Sequence, residues 1–164
     1  MNRVKIAVLS DSHDSISNLK KAVEISNKSN CTHLFHLGDI VSPLSAEQLG
    51  NFNGEIFAVY GNCDGDKIRL NRIFSDFGGT ISQPPLKLKI SGKIFILMHE
   101  PLLIEEISSS EKTDYILYGH IHASRLYKSG TTTILNPGEA AGMINPASFY
   151  IIEPEINKIE KIDL

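Results

Sequence analysis

Short apolar runs recur along the chain, and each ends at a polar or glycine-containing segment. Five of these runs have the length of strands and are apolar at most positions, as is typical of strands buried on both faces. Segments with helical spacing of apolar residues follow the first three runs. This alternation predicts right-handed crossovers and a parallel sheet. The five runs are residues 4–9, 33–37, 56–60, 94–98 and 115–118.

Polar residues mark where the predicted helices begin. Ser15 precedes a repeat over residues 16–25 and is expected to cap that helix. Ser42 and Pro43 have the residue types of an N-cap and first helical residue, for a short helix that ends before Gly50. A third helix is predicted over residues 66–74.

The second half of the chain is richer in predicted hairpins than the first. Ser91-Gly92 and Ser129-Gly130 are turn signals between apolar segments. We therefore predict an α/β fold with two packed mixed sheets, flanking helices and the polar loops gathered along one edge, in one domain over residues 1–164. The further predicted elements are a short helix at 102–108 and strands at 86–90, 93–98, 124–127, 131–135, 149–152 and, after a turn at Pro154, 158–162.

Composition narrows the class of protein. With 164 residues, 41% of them hydrophobic and 21% charged, the chain is expected to be a soluble globular domain. A net charge of −3 offers no electrostatic case for binding nucleic acid. Two cysteines predict no disulfide framework, and no apolar run has the length of a signal or membrane-spanning segment, so we expect a cytoplasmic protein without a membrane partner. A homodimer is a possible assembly that the sequence does not decide.

Metal-type ligands follow each of the five apolar runs. Ligands bind at the carboxyl ends of strands in open α/β sheets, so these residues are expected to converge. Seven oxygen and nitrogen donors are too many for one ion and suit two ions that share a carboxylate, for which Asp39 is the natural bridge. The expected ligands are Asp11, His13, Asp39, Asn62, His99, His120 and His122.

Each fragment taken alone has an ordinary explanation as a turn or a strand-terminal histidine. His120 and His122 are the sharpest local signal, because residues two apart lie on the same side of an extended segment. We interpret His33 and His36 as structural and Cys31 as a small apolar filler. The sequence contains neither a P-loop nor a dinucleotide-binding glycine motif.

The ordered motifs Asp-x-His, Gly-Asp, Gly-Asn-x-Asp, His and Gly-His-x-His resemble the calcineurin-like metallophosphoesterase superfamily, and the short chain resembles its small prokaryotic phosphodiesterase (YfcE-like) branch. The resemblance covers residues 6 to about 138 and implies a four-layer αββα sandwich. It implies that one metal is held by Asp11, His13, Asp39 and His122, and the other by Asp39, Asn62, His99 and His120. It further implies that Asp64 stands behind the ligands or faces the substrate, so that the predicted catalytic residues are Asp39, Asn62, Asp64 and His99.

The expected activity is that of a dinuclear-metal-dependent phosphoesterase acting on a small phosphate ester. A hydroxide bridging two divalent transition-metal ions ~3.5–4 Å apart would attack phosphorus in line. The nitrogen-rich ligand set fits Mn, Ni, Co, Fe or Zn. A phosphodiesterase is favoured. The alternatives are a phosphomonoesterase, a nucleotide pyrophosphatase, or a non-catalytic metal-binding scaffold resembling the retromer subunit that shares this fold.

Three positions depart from the family pattern. Cys63 stands where many members carry a histidine that assists the leaving group, and a thiol is a poor replacement as a proton donor. Glu100-Pro101 follows His99 where the branch has Gly-His, and Glu139 follows Asn136-Pro137-Gly138 where the branch often has serine. Contacts to the substrate are expected to differ near these residues.

Overall fold

The predicted apolar runs form strands in the computed structural model, which describes residues 3–110 and 112–164. In this described part the helices are α1 (Ile16–Lys28), α2 (Pro43–Leu49), α3 (Lys67–Asp76) and α4 (Ile104–Ser110). The strands are β1 (Ile6–Leu9), β2 (His33–His36), β3 (Glu55–Val59), β4 (Thr80–Ser82), β5 (Leu86–Ile90), β6 (Lys93–Leu97), β7 (Tyr115–Leu117), β8 (Arg125–Ser129), β9 (Thr132–Asn136), β10 (Ser148–Glu153) and β11 (Lys158–Asp163). A 3₁₀ turn at Pro154–Ile156 joins the last two strands.

The first sheet has the strand order β11-β10-β1-β2-β3-β4. Strands β1 to β4 pair in parallel, and β10 and β11 add an antiparallel edge. The sequence did not predict β4, whose three residues are too few to show a period. Ile81 is the buried residue of β4 and pairs with Ala58 of β3.

The second sheet has the order β5-β6-β7-β9-β8. Its inner pairs β6–β7 and β7–β9 are parallel, whereas the pairs at both edges are antiparallel. Both sheets are therefore mixed, as predicted. Ser91 and Gly92 turn between β5 and β6 with φ of 50° and 77°, which is the left-handed geometry that a tight hairpin requires.

Alternating side chains of the strands build separate cores. In β1, Ala7 and Leu9 join the cluster that contains Leu19 and Ala22 of α1, while Ile6 and Val8 join Phe95 and Leu97 of the second sheet. A third cluster on the far face of the second sheet includes Ile104 and Ile107 of α4. The layers are thus helices, sheet, sheet and helix, which confirms the four-layer αββα sandwich.

One helix cap and one helix start differ from prediction. Ser15 occupies the N-cap position of α1, but its side chain makes no capping hydrogen bond. Helix α4 begins two residues later than predicted, because Leu103 has φ of 53° and residues 100–103 form a turn. Ser42 behaves as predicted, since its hydroxyl accepts from the Ser45 N–H and Pro43 is the first helical residue. None of the helices among the described residues has the length and apolar character needed to cross a membrane.

Candidate metal centre

Loops that follow β1, β2, β3, β6 and β7 meet at one end of the two sheets. Backbone hydrogen bonds join two pairs of these loops. The Asp11 N–H donates to the Gly38 carbonyl at 3.0 Å, and the Gly119 N–H donates to the His99 carbonyl at 2.9 Å. The Asp11 carboxylate also accepts from the His120 N–H at 3.0 Å, which links the first sheet to the second. The strand-end placement predicted from the sequence therefore brings all seven expected ligands to one place.

Left-handed backbone is concentrated in these loops. Five of the seven expected ligands have positive φ, from 38° to 67°. Such conformations cost free energy for residues other than glycine, and they cluster where the surrounding structure imposes a functional geometry. Val41, a β-branched residue beside the centre, has φ of 81°. The five ligands are Asp11, His13, Asp39, His120 and His122.

Close packing explains two glycines at the centre. A side chain at Gly61 would collide with the carboxylate of Asp39, and one at Gly119 would collide with the Ser10 hydroxyl and lie 2.7 Å from the Asp11 carboxylate. These backbones therefore approach the ligands as closely as only glycine allows.

Asp11, His13 and His122 form one group of donors. The Nε2 atoms of His13 and His122 lie 3.3 Å apart, with the two rings stacked at 5.0 Å between centroids. The His122 Nε2 also lies 3.5 Å from Asp11 Oδ1. His122 Nδ1 faces the Glu139 carboxylate at 3.1 Å, so it is expected to carry the proton and leave Nε2 free to bind a cation.

Asn62, His99 and His120 form the second group. Asn62 Oδ1 lies 2.8 Å from His99 Nε2 and 3.0 Å from His120 Nδ1. His99 Nδ1 donates to the Leu37 carbonyl at 2.8 Å, so in the neutral ring Nε2 is an acceptor. This places the acceptor atoms of His99 and Asn62 face to face.

Asp39 lies between the two groups. Its Oδ2 is 3.5 Å from His13 Nε2 and 3.4 Å from His99 Nε2. Its Oδ1 accepts from the Cys63 N–H at 2.8 Å, which fixes the orientation of the carboxylate. A single oxygen of Asp39 therefore faces one histidine of each group.

The chemistry of this donor set fits divalent cations. Asp11 Oδ1 is buried and accepts no hydrogen bond from any residue that the structure describes. A buried carboxylate without a compensating charge costs free energy, and a cation bound here would offset that cost. The acceptor atoms of His99 and Asn62, which face each other, would be satisfied by the same positive charge. The carboxylate, imidazole and amide donors are those that transition-metal ions accept. Ligand atoms of Asp11, His13 and His122, and those of Asp11, Asp39 and His99, lie within 4.8 Å of one another.

The two buried carboxylates have opposite pKa shifts. Burial raises the pKa of Asp11 above its ordinary value. Burial also raises the pKa of Asp39, but the neighbouring His99 imidazole and the hydrogen bond from Cys63 outweigh it and hold that pKa well below its usual range. For His99, burial lowers the pKa, while Asp39 and the Leu37 carbonyl raise it to a net value above the ordinary one.

Asp64, expected behind the ligands or towards the substrate, is buried beneath the loops. Its carboxylate accepts from the N–H groups of Asp39, Val41 and Gly61, at 3.0, 2.7 and 2.7 Å. This geometry ties the loop after β2 to the loop after β3. Asp64 therefore positions Asp39 through the backbone.

Two further residues contact the loop that carries His120 and His122. Asn136 is buried and donates to the Gly119 carbonyl at 2.6 Å. Glu139 is fully buried, and sequence reasoning assigned it no role. Its contact with His122 joins residues that are 17 positions apart in the chain. The one signal in the sequence for a place near the site is its position shortly after a strand, beside Asn-Pro-Gly.

The remaining histidines and cysteines occupy distinct surroundings. His36 is fully buried, its Nε2 contacts the Ser12 hydroxyl at 3.0 Å, and burial lowers its pKa to about 3. His33 stacks on Phe57. Cys31 is buried in the first core, as predicted. Cys63 is exposed, and its sulfur lies within 4.8 Å of donor atoms of His13 and Asp39, a proximity that the sequence did not reveal.

Comparison with known proteins accounts for this arrangement. The model of the calcineurin-like phosphoesterase superfamily domain matches residues 4–156. The chain belongs to the calcineurin-like phosphoesterase superfamily. Members of this superfamily use divalent metals, in keeping with the donor cluster described above.

Individual relatives cover almost the whole chain. Phosphodiesterase MJ0936 of Methanocaldococcus jannaschii is 31% identical over 144 residues, which span 86% of this chain and 87% of that protein. Phosphodiesterase YfcE of Escherichia coli K12 is 25% identical over 171 residues, covering 93% and 89%. A solved structure of an archaeal phosphodiesterase matches with a TM-score of 0.93 and 30% identity, covering 98% of this chain and 100% of that one.

Proposed function

We propose that the protein is a phosphodiesterase that works with two divalent transition-metal ions. Asp11, His13, Asp39 and His122 would hold one ion, and Asp39, Asn62, His99 and His120 the other. The observation that carries this proposal is the position of Asp39 Oδ2, which faces His13 and His99 at nearly equal distances. The named activities of its relatives support a diester as the substrate.

The reaction adds water to phosphorus and breaks one ester P–O bond, releasing an alcohol and a phosphate monoester. Bound at this site, two ions would supply an activated water and neutralise charge on the phosphate oxygens. The chain supplies orientation. The Leu37 carbonyl fixes His99, Glu139 fixes His122, and the Cys63 N–H fixes Asp39, so the donors are held before substrate arrives.

Proton delivery to the departing alcohol is the weaker part of this machinery. Burial and the neighbouring Asp39 carboxylate raise the pKa of the Cys63 thiol to about 11. A thiol is a weak hydrogen-bond donor. Diesters with good leaving groups are therefore expected to be the better substrates.

Phosphomonoester and nucleotide pyrophosphate hydrolysis are the competing activities. Purified protein would be loaded separately with Mn, Co, Ni, Fe or Zn and assayed on bis-(4-nitrophenyl) phosphate, 4-nitrophenyl phosphate and a nucleotide pyrophosphate. We expect the diester to give the highest kcat/KM. A consistent preference for either other substrate would overturn the assignment as a diesterase.

Metal stoichiometry tests the ligand assignment. Elemental analysis is expected to find two ions per chain. Asp39→Ala should lose both ions, because only Asp39 faces both groups, whereas Asn62→Ala should chiefly weaken one. Asp76→Ala changes an exposed carboxylate at the end of α3 and serves as the control. Equal stoichiometry in the Asp39 and Asn62 variants would show that Asp39 does not bridge.

A further inference from the structure

A pocket of about 380 Å³ opens beside the second group of donors. Asn62 and His99 line both the donor cluster and this pocket. The pocket is therefore continuous with the place where the proposed function puts the phosphate. Its volume lies within the range of about 300–1,000 Å³ that is typical of small-molecule sites.

The wall of the pocket is mainly apolar. Met98, Ile107 and Pro85 contribute to it, and the turn between β6 and α4 adds Leu102 and Leu103. These two leucines are 63% and 65% exposed, although each carries a large apolar side chain. A ligand that covers them removes apolar surface from water, which is favourable.

Charge in the pocket is balanced rather than cationic. Apart from His99, its charged lining residues among those described are Lys67 and Glu100. The Lys67 ammonium lies 5.3 Å from the centre of the Tyr60 ring, where a cation–π contact holds it. A second phosphate or a carboxylate on the substrate would meet Lys67 and Glu100, whose charges cancel, so these two side chains offer it no net attraction.

We propose that this pocket binds one ester group of the phosphodiester substrate and that the group is apolar and uncharged, of about the size of an aromatic ring system. The inference rests on the proposed function, because it places the phosphate at the donor cluster. It adds the substrate class: diesters with one bulky apolar substituent, in preference to diesters whose substituents are small or anionic.

A series of phosphinates that differ in the size of one substituent tests the pocket without turnover. Dimethylphosphinate, methyl(phenyl)phosphinate and methyl(2-naphthyl)phosphinate each carry the single negative charge of a diester, and P–C bonds replace its P–O ester bonds. Binding to metal-loaded protein would be measured by calorimetry, and inhibition constants would be measured against bis-(4-nitrophenyl) phosphate. We expect affinity to rise at least about tenfold from the methyl to the naphthyl compound.

Leu103→Asp places a charge on the pocket wall at a position whose left-handed backbone accommodates aspartate. This variant should reduce the naphthyl preference to within about threefold, and Leu102→Asp should act in the same direction. Leu126→Asp alters an exposed leucine of β8 outside the pocket and should keep the full preference. A preference that survives both pocket variants would overturn the proposal.

Glu100 provides the charge test. Methyl(4-carboxyphenyl)phosphinate should bind several-fold more weakly than the phenyl compound, and Glu100→Gln should narrow that difference. Equal affinities for all the phosphinates in the parent protein would overturn the pocket assignment. If the parent hydrolyses no diester yet still binds the naphthyl phosphinate best, the proposed function fails while the pocket stands.

Discussion

Glu139→Gln is expected to weaken both the folded state and metal binding. Glu139 Oε2 accepts from His122 Nδ1 at 3.1 Å and from the Met143 N–H at 3.0 Å. Oε1 accepts from the Ile144 N–H at 2.6 Å and from the Asn145 N–H. One buried carboxylate thus fixes a proposed ligand and a surface segment at the same time.

The geometry sets the size of the effect. A glutamine oxygen can replace one carboxylate oxygen, but the amide NH₂ group cannot accept a hydrogen bond. Two donors therefore lose their acceptor, at about 1–3 kcal/mol each when buried. Because the segment after Gly142 is exposed and can partly rehydrate, we expect a loss of about 2–3 kcal/mol. For a chain of this size that lowers Tm by roughly 4–12 °C.

Thermal unfolding of the metal-free protein would measure the stability change, and competition with a coloured chelator would measure metal affinity. We expect affinity to fall about 10–100-fold, the usual effect of removing a group that orients a ligand histidine. Glu47→Gln alters an exposed glutamate of α2 and should change neither quantity. Unaltered Tm and unaltered affinity in Glu139→Gln would refute the reasoning.

The pH dependence of stability provides a second measurement on the same residue. Burial raises the pKa of Glu139, but the Asn145 N–H, His122 and the Ile144 and Met143 N–H groups outweigh it, so the net pKa lies below the ordinary value. A carboxyl group with a lowered folded-state pKa stabilises the protein fully above its unfolded pKa, and that stability is lost as pH falls through the folded-state pKa. Glu139→Gln should remove this part of the acid sensitivity, which urea unfolding across the acidic range would show.

Three other perturbations give distinct outcomes. Cys63→His should raise kcat/KM for diesters with poor leaving groups by up to ~10²–10⁴-fold, and kcat/KM should then depend less steeply on leaving-group pKa. If kcat/KM depends equally steeply on leaving-group pKa in both proteins, another group already donates the proton. Asp64→Asn should destabilise the fold by roughly 2–4 kcal/mol in urea unfolding, because a neutral amide replaces a charged acceptor of three N–H groups, two of which bond to it in buried surroundings. Chelation should abolish activity and lower Tm, and both should return on adding Mn or Co; activity that persists in the chelated protein would contradict a metal-dependent reaction.

The sequence predicted the placement of the candidate ligands well, because each follows a buried apolar strand directly. Parallel strands deliver their carboxyl ends to one edge, so position along the chain nearly determines position in space. Strand β4 escaped prediction because three residues show no period. Helix α4 was misplaced because Leu102 and Leu103 look like its first apolar positions, whereas the left-handed Leu103 ends a turn instead.

The supporting contacts could not be predicted in the same way. Asp64 acts on backbone groups that lie 3, 23 and 25 residues away, and Glu139 bonds to His122 across two strands. The pocket combines residues from three regions of the chain, residues 60–67, 83–85 and 98–107. Such contacts depend on how the loops turn, for which the sequence carries no periodic signal.

The left-handed backbone at the centre also limits which metal ligands can be exchanged. Among side chains that bind metals, aspartate, asparagine and histidine enter this conformation most readily. The same three types supply all seven proposed ligands, and five of the seven are left-handed. Few residue types are therefore available for substitutions that aim to change metal selectivity at residues 11, 13, 39, 120 or 122. Exchanges among aspartate, asparagine and histidine alter the charge and softness of the ligand at little conformational cost. Glutamate or a β-branched residue would in addition lose free energy by adopting the left-handed backbone conformation.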